Sequence, residues 1–272
     1  MSKLELEEGY DQIEVIPDYG FSGRTDLEEV ILPETVRKIG RYAFYNCRNL
    51  RKITFFSQIQ DIGCGAFTGC HNICELDITI VNDNYACLKD ILQELEEKTT
   101  VYLRDKGFTV LVFPEYYEEG IENTPARLIN FQVHGSGMKY RNCLLKKEIK
   151  FAEYDACFPM AQVLEKPEVV QEMVLGRLRY PYQLMDTGRK RYETYTKEHL
   201  VEIGTRLIKE NDIQGLSWLL DSYLDKEDDL SKLIEEASKK EAVECVGIMM
   251  DIRRARFVKE TVFGIPDFDF DF

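Results

Sequence analysis

Apolar residues in the first third of the chain recur every 23 positions. Phe21, Phe44 and Phe67 keep this step, and Cys47 and Cys70 repeat it. A unit of this length is too short to close a core of its own, so it buries its apolar side chains against the units on either side. The period therefore predicts a solenoid. Three further columns have the same spacing: Ile16, Ile39 and Ile62; Leu27, Leu50 and Ile73; and Ile13, Val36 and Ile59.

Within each unit, a short stretch alternates apolar and polar residues, which is typical of a β-strand with one buried face. Val30, Ile53 and Leu76 are expected to point inward on three successive strands. The positions between them then form an outward row. We predict that this row contacts a partner, with Ile31 and Phe56 as exposed apolar anchors. The candidate contact residues are Glu29, Ile31, Lys52, Thr54, Phe56, Asp77 and Thr79.

The segment before the first unit departs from the pattern. Glu7 falls in the column of Val30 and Ile53, so the stretch MSKLELEE does not repeat the apolar residues. Because terminal repeats of a solenoid need a polar outer face, we interpret this segment as a polar cap.

A family resemblance follows from the repeating unit. The pattern L-x-x-V-x-L-P-x-x-V-x-x-I-G-x-x-A-F-x-N-C, which begins at Leu27 and ends at Cys47, resembles the BspA-type leucine-rich repeat over residues 13–80. The resemblance implies a right-handed β-solenoid that serves as a binding module rather than as an enzyme. It also implies a bacterial source.

Residues 81–148 are predicted to form a mixed αβ connector, because the repeat columns stop after Ile80. Asn84 is suited to cap a helix that follows it. Residues 99–103 and 108–113 are expected to be strands around a turn. A second hairpin is predicted from residues 128–133 and 138–145, joined at Gly135, Ser136 and Gly137. Such a sheet would close the open end of the solenoid.

Residues 149–260 show the apolar period of helices, so we predict a helical domain there. Two segments align at a spacing of 30, with Leu200 matching Leu230 and Ile203 matching Leu233. Each reads as two antiparallel helices with a turn at 211–212 or 241–242. The pair resembles degenerate ankyrin repeats over residues 199–256, which implies protein binding. Residues 261–272 form an acidic-aromatic tail in which Asp and Phe alternate.

Charge narrows the choice of partner. The chain carries 35 Lys and Arg against 49 Asp and Glu, a net charge of −14, which disfavours nucleic acid and anionic membrane surfaces. The chain as given starts without the apolar segment of a secretory signal, so the eight cysteines are expected to be reduced thiols in the cytoplasm. A secreted or cell-surface location is the alternative if a leader was removed.

One cysteine cluster contains the ligand types that bind zinc. It consists of Cys64, Cys70, His71 and Cys74. The repeat register argues against a site, because Cys70 shares the buried column of Cys47 while the other two cysteines belong to different columns. Side chains that point in different directions cannot converge on one ion, so we predict no metal.

A second set could supply a thiol nucleophile with its base. It contains Cys143 or Cys157 together with His134 and Asp155. None of the three histidines lies in a recognised catalytic motif, and a buried structural cysteine is the commoner state. The sequence therefore predicts no catalytic residue and no cofactor.

Together these patterns predict a multi-domain α+β chain. Its parts are a leucine-rich-repeat solenoid at 1–80, the connector at 81–148, an ankyrin-like helical domain at 149–260 and the tail at 261–272. We expect a non-enzymatic scaffold that binds a protein partner through the strand face, with the helical stack as a second surface. Two alternatives remain open: a surface or secreted adhesin module, and a small-molecule binder or enzyme that uses the connector.

Overall fold

The computed structural model describes residues 2–5, 13–123 and 128–257, so the predicted tail at 261–272 lies outside the described residues. The chain divides into two compact units, Met1–Tyr192 and Glu193–Phe272. This division falls inside the range 149–260, which we predicted from the sequence to be one helical domain. The domain boundaries given above remain predictions.

Strands dominate the first half of the described chain and helices the second, which confirms the α+β class. In chain order the strands are β1 (Ser2–Glu5), β2 (Val15–Ile16), β3 (Leu27–Ile31), β4 (Lys38–Ile39), β5 (Lys52–Phe56), β6 (Asp61–Ile62), β7 (Glu75–Thr79), β8 (Thr99–Arg104), β9 (Phe108–Phe113), β10 (Tyr117–Asn123) and β11 (Leu128–His134). The helices are α1 (Ala86–Glu94), α2 (Gly137–Asn142), α3 (Phe151–Ala156), α4 (Phe158–Leu164), α5 (Pro167–Arg179), α6 (Asp186–Glu198), α7 (Leu200–Glu210), α8 (Ile213–Tyr223), α9 (Glu227–Lys239) and α10 (Val243–Arg256).

The solenoid predicted from the period is confirmed and makes about four turns. Its large sheet has the strand order β1-β3-β5-β7-β8-β9, and β2, β4 and β6 form a second sheet. Val30 lies opposite Ile53, and Ile53 opposite Leu76, in a parallel register. All three side chains are at most 1% exposed. The 23-residue columns are therefore ladders of like side chains through the core.

Stacked aromatic rings show the same ladder on the return turn of each coil. The ring centres of Phe21 and Phe44 are 5.3 Å apart, and those of Phe44 and Phe67 are 5.5 Å apart. Gly65 lies 23 positions after Tyr42 in a second column. A Cβ at Gly65 would lie 2.5 Å from the Tyr42 ring, and the φ angle of Gly65 is +68°. Only glycine fits both requirements at this turn.

The first coil differs from the polar cap that the sequence suggested. Residues 2–5 form strand β1 of the large sheet, and Leu4 lies opposite Val30, 26 positions later rather than 23. The interpretation of Glu7 as the equivalent position is therefore wrong, because the first coil is three residues longer than the others. Pro17 occupies the position in its coil that Gly40 occupies in the next one. The Gly40 N–H donates a hydrogen bond to the Ile16 carbonyl of the preceding coil, whereas proline has no N–H and cannot make the equivalent bond.

The connector continues the solenoid before closing it. Strand β8 adds to β7 in parallel, and β9 turns back antiparallel to β8, as predicted for this pair. Asn84 accepts a hydrogen bond from the Ala86 backbone N–H at the start of α1. The second predicted hairpin is wrong, since β11 pairs with the upstream strand β10 and residues 137–142 form helix α2.

Helices α3 and α5 cover the edge of β9. The Tyr154 hydroxyl accepts a hydrogen bond from the Val112 N–H at 2.9 Å and donates one to its carbonyl at 2.7 Å. Asp155 makes a buried bidentate ion pair with Arg177, at 2.8 and 2.9 Å. The backbone groups of Val112, satisfied in this way, offer no template for another strand.

The second unit contains the helix pairs α7–α8 and α9–α10. The turns fall where the sequence predicts them, and Asn211 and Glu241 adopt left-handed φ angles of 55°. Asp212 accepts a hydrogen bond from Gly215 and so caps α8. Ile203 and Leu233 are both fully buried, in keeping with their alignment. The likeness to ankyrin repeats remains a prediction.

Candidate protein-interaction surface

The parallel register brings the predicted contact residues to one face of the large sheet. They occupy the positions of β3, β5 and β7 that alternate with buried core residues. We call these seven residues the strand-face strip. Within it the residues that lie opposite one another are Glu29 and Lys52, Ile31 and Thr54, Thr54 and Asp77, and Phe56 and Thr79.

The two apolar anchors are less exposed than the sequence predicts. Ile31 and Phe56 are both half-buried, whereas an outward apolar residue was expected to be exposed. Side chains on neighbouring strands stand about 5 Å apart on the same face and cover one another's flanks. Each anchor therefore offers part of its surface to a partner and uses the rest to stabilise the sheet.

The same face extends beyond the residues that sequence reasoning selected. Glu75 precedes the strip residues on β7, and its neighbour on β8 is Thr100. Asp77 lies opposite Tyr102, and Thr79 opposite Arg104. The alternation in residues 99–104 was the signal for these positions, but the sequence assigned that strand to the connector rather than to the solenoid face.

Helix α5 stands over the far end of this face. Gly176 lies so close to β9 that a Cβ there would be 2.7 Å from the Val110 carbonyl oxygen. One side of α5 carries Glu172, which forms an ion pair with Lys98 at 2.8 Å. The Glu172 carboxylate also accepts a hydrogen bond from the Thr100 hydroxyl. The sheet face therefore ends against a wall rather than continuing open.

Opposite charges are paired along the face. Lys52 Nζ lies 3.5 Å from Glu29 Oε1, and Arg104 is bound to Asp77. The Arg104 guanidinium also lies 5.2 Å from the centre of the Phe108 ring, within the range of a cation–π contact. These pairs hold long side chains in place across strands, which gives the face a defined shape.

Tyr102 lies between the paired charges. Burial, together with the nearby carboxylates of Glu75, Glu172 and Asp77, raises the pKa of its phenol to about 12. Its hydroxyl therefore stays protonated at neutral pH and can donate a hydrogen bond to an incoming group.

A polar groove of about 720 Å³ lies where the strands begin, between Glu28 and Lys98. Its asparagines serve the solenoid itself: the Asn49 amide donates to the Thr25 carbonyl and the Asn72 amide to the Arg48 carbonyl, both at 2.6 Å. These bonds join one coil to the next.

The cysteine cluster considered above is spread over different surroundings. Cys70 is buried and donates its thiol to the Phe44 carbonyl at 2.9 Å, while Cys64 is exposed. His71 pairs with Glu97 at 2.8 Å. Across residues 2–5, 13–123 and 128–257 the structure contains no group of three or more His, Cys, Asp or Glu residues that could hold a metal ion.

The residues considered for thiol chemistry have other partners. Asp155 is bound to Arg177 and accepts a hydrogen bond from the Tyr192 hydroxyl at 2.9 Å. The His134 ring stacks on Tyr117 with the centres 4.6 Å apart and lies 3.2 Å from Glu119. Burial raises the pKa of the Cys143 thiol to about 12, which is opposite to the change that activates a nucleophile.

Comparison with known proteins adds one finding. Residues 2–95 match the family described as BspA type leucine rich repeat region, in six copies. Neither the curated proteins nor the solved structures compared with the chain give a match. Among the described helices, none has both the length and the apolar character needed to cross a bilayer.

Proposed function

We propose that this chain is a non-enzymatic scaffold that binds a protein partner through the strand-face strip, because residues 2–95 match the BspA type of leucine rich repeat region. Repeat regions of this kind suggest protein–protein interaction, since stacked coils offer adjacent outward side chains without a deep pocket. The observation that carries the proposal is the placement of two partly exposed apolar residues, Ile31 and Phe56, among paired charges on one rigid sheet face.

We further propose that the scaffold works in the reducing interior of a bacterial cell. The thiols of Cys47 and Cys70 donate to the carbonyls of Phe21 and Phe44, which are 26 positions earlier. These contacts use the reduced form of sulfur as part of the coil ladder, which supports a compartment where thiols persist.

The test compares capture by the wild-type chain and by the double variant Ile31→Asp with Phe56→Asp. Each is immobilised and exposed to lysate of the source organism, and bound proteins are quantified by mass spectrometry. A charge at an interface anchor typically removes most of the affinity, so we expect specific partners to be lost about tenfold or more. Equal capture by both forms would contradict the proposal.

Two controls separate binding from folding. Val163→Asp with Leu164→Asp changes two exposed apolar residues on α4, away from the strip, and should leave capture intact. Because Ile31 and Phe56 are half-buried, their substitution is expected to cost roughly 1 kcal/mol each. The milder pair Ile31→Thr and Phe56→Thr retains residues with strand propensity and should still weaken capture.

A further inference from the structure

One carboxylate on the sheet face lacks the partner that its neighbours have. On this face Lys52 is paired with Glu29 and Arg104 with Asp77, and Lys98, which directly precedes β8, is paired with Glu172 of α5. Glu75 stands half-buried in the same outward row, directly opposite Lys52, but the Lys52 ammonium lies 3.5 Å from Glu29 instead, and Glu75 forms no ion pair within the described residues. A carboxylate partly removed from water gains the most when a cation reaches it.

The surroundings of Glu75 would accept a cation. Tyr102 lies on the adjacent strand, diagonally across from Glu75, and an aromatic ring at this position adds a group that attracts cations. The overall charge of −14 would also draw a positively charged segment toward the chain.

The apolar anchor Phe56 lies on the neighbouring strand, opposite Thr79 at the other end of β7. Glu75 and Thr79 are four positions apart on an extended strand, which corresponds to roughly 13 Å. An extended peptide that lies along the strands would therefore bring two side chains to Glu75 and Phe56 when they are about four residues apart.

We propose that the sheet face formed by the strand-face strip and Glu75 recognises a peptide segment of another protein that places a Lys or Arg against Glu75 and an apolar side chain against Phe56. This inference rests on the proposed function and specifies the chemistry of its partner. The basic side chain contributes an ion pair with a carboxylate that has none in the part of the chain that the structure describes, and the apolar side chain covers the exposed part of the phenyl ring.

The experiment selects peptides from a displayed random library against the immobilised full chain. The enriched peptides are then synthesised, and their affinity is measured by fluorescence anisotropy. We expect enrichment of sequences with a basic residue and an apolar residue about four positions apart. Glu75→Gln removes the charge and keeps the shape, and it should weaken binding about tenfold or more.

The matched control is Glu28→Gln, which removes a half-buried carboxylate of β3 that forms no ion pair within the described residues and lines the polar groove. It should leave affinity within about twofold. Enriched peptides without basic residues, no enriched peptide at all, or equal binding by Glu75→Gln would overturn the inference. Capture from lysate by the Ile31→Asp with Phe56→Asp variant then separates the two proposals. If this variant still loses its partners, the strip remains the docking surface and only the proposed partner chemistry is wrong.

Discussion

The solenoid and the helical unit are both built from repeats, but their repeats are held together by different groups. In the solenoid, backbone hydrogen bonds pass from coil to coil, as from Phe21 N to the Ala43 carbonyl at 2.8 Å. In the helical unit, backbone hydrogen bonds close within each helix, and neighbouring repeats meet through side chains such as Leu233, which packs against Gly204. A side chain in the solenoid therefore contacts the residue at the equivalent position of the next coil. A side chain in the helical unit contacts a residue at a different position of the neighbouring repeat.

The largest expected effect comes from breaking the phenylalanine ladder at its centre. Phe44 is 1% exposed and stacks on both Phe21 and Phe67, so Phe44→Ala should destabilise the first unit by about 3–5 kcal/mol. Urea unfolding followed by circular dichroism measures the loss. Hydrogen exchange should show reduced protection in the coils on both sides of the substitution.

Two other variants set the comparison for this result. Phe21→Ala removes the outermost ring, which is only partly buried, and should cost about half as much. Leu233→Ala removes a fully buried side chain of α9 and should cost about 2–5 kcal/mol. Its effect on hydrogen exchange should stay within the second unit. If Phe21→Ala lowered the free energy of unfolding as much as Phe44→Ala does, a ring stacked on both sides would contribute no more than a ring stacked on one side.

Glycine substitutions should have opposite signs in the two regions. A Cβ at Gly40 would lie 2.5 Å from the Asp18 backbone nitrogen, so Gly40→Ala must push two coils apart and should cost about 1–3 kcal/mol. Gly247 on α10 has nothing within 4 Å of the same position, and alanine favours helix. Gly247→Ala should therefore stabilise the second unit by up to about 1 kcal/mol.

Fluorescence of Trp218, the one tryptophan of the chain, reports unfolding of the second unit, while circular dichroism reports both units. If Gly40→Ala proved neutral, the coils would have to be more loosely packed than their backbone contacts indicate. If Gly247→Ala were destabilising, the open side of α10 would be covered in solution.

This difference in contacts also explains what sequence reasoning could predict. A column such as Val30, Ile53 and Leu76 is visible in the sequence because each member contacts the equivalent residue of the next coil. The regular spacing in the sequence therefore predicts which side chains pack together. The offset of Leu4 was missed because three extra residues in the first coil shift the register without changing composition.

Long-range contacts leave no comparable signal. Residues 135–137 look like a hairpin turn, yet β11 pairs with an upstream, glutamate-rich strand, and Gly137 begins a helix. The strand-face strip was placed on three strands, but its wall depends on Gly176 packing on Val110, which lies on a strand far earlier in the chain. Because neither contact recurs along the chain, no periodicity in the sequence predicts it.

The smallest expected effect concerns a turn of the helical unit that, like several solenoid turns, uses a left-handed residue. Glu241 has a φ of 55°, a conformation that costs an ordinary L-residue about 1–2 kcal/mol. Glycine removes that cost but loses about 0.5–1 kcal/mol through the greater freedom of the unfolded chain. Glu241→Gly should therefore stabilise the second unit by a few tenths of a kcal/mol to about 1 kcal/mol, as measured by urea unfolding with Trp218 fluorescence. Asn211→Gly at the equivalent turn should gain less, because asparagine tolerates this backbone conformation better than glutamate does. A larger gain at Asn211 than at Glu241 would mean that the turn strain is relieved elsewhere in the helix pair.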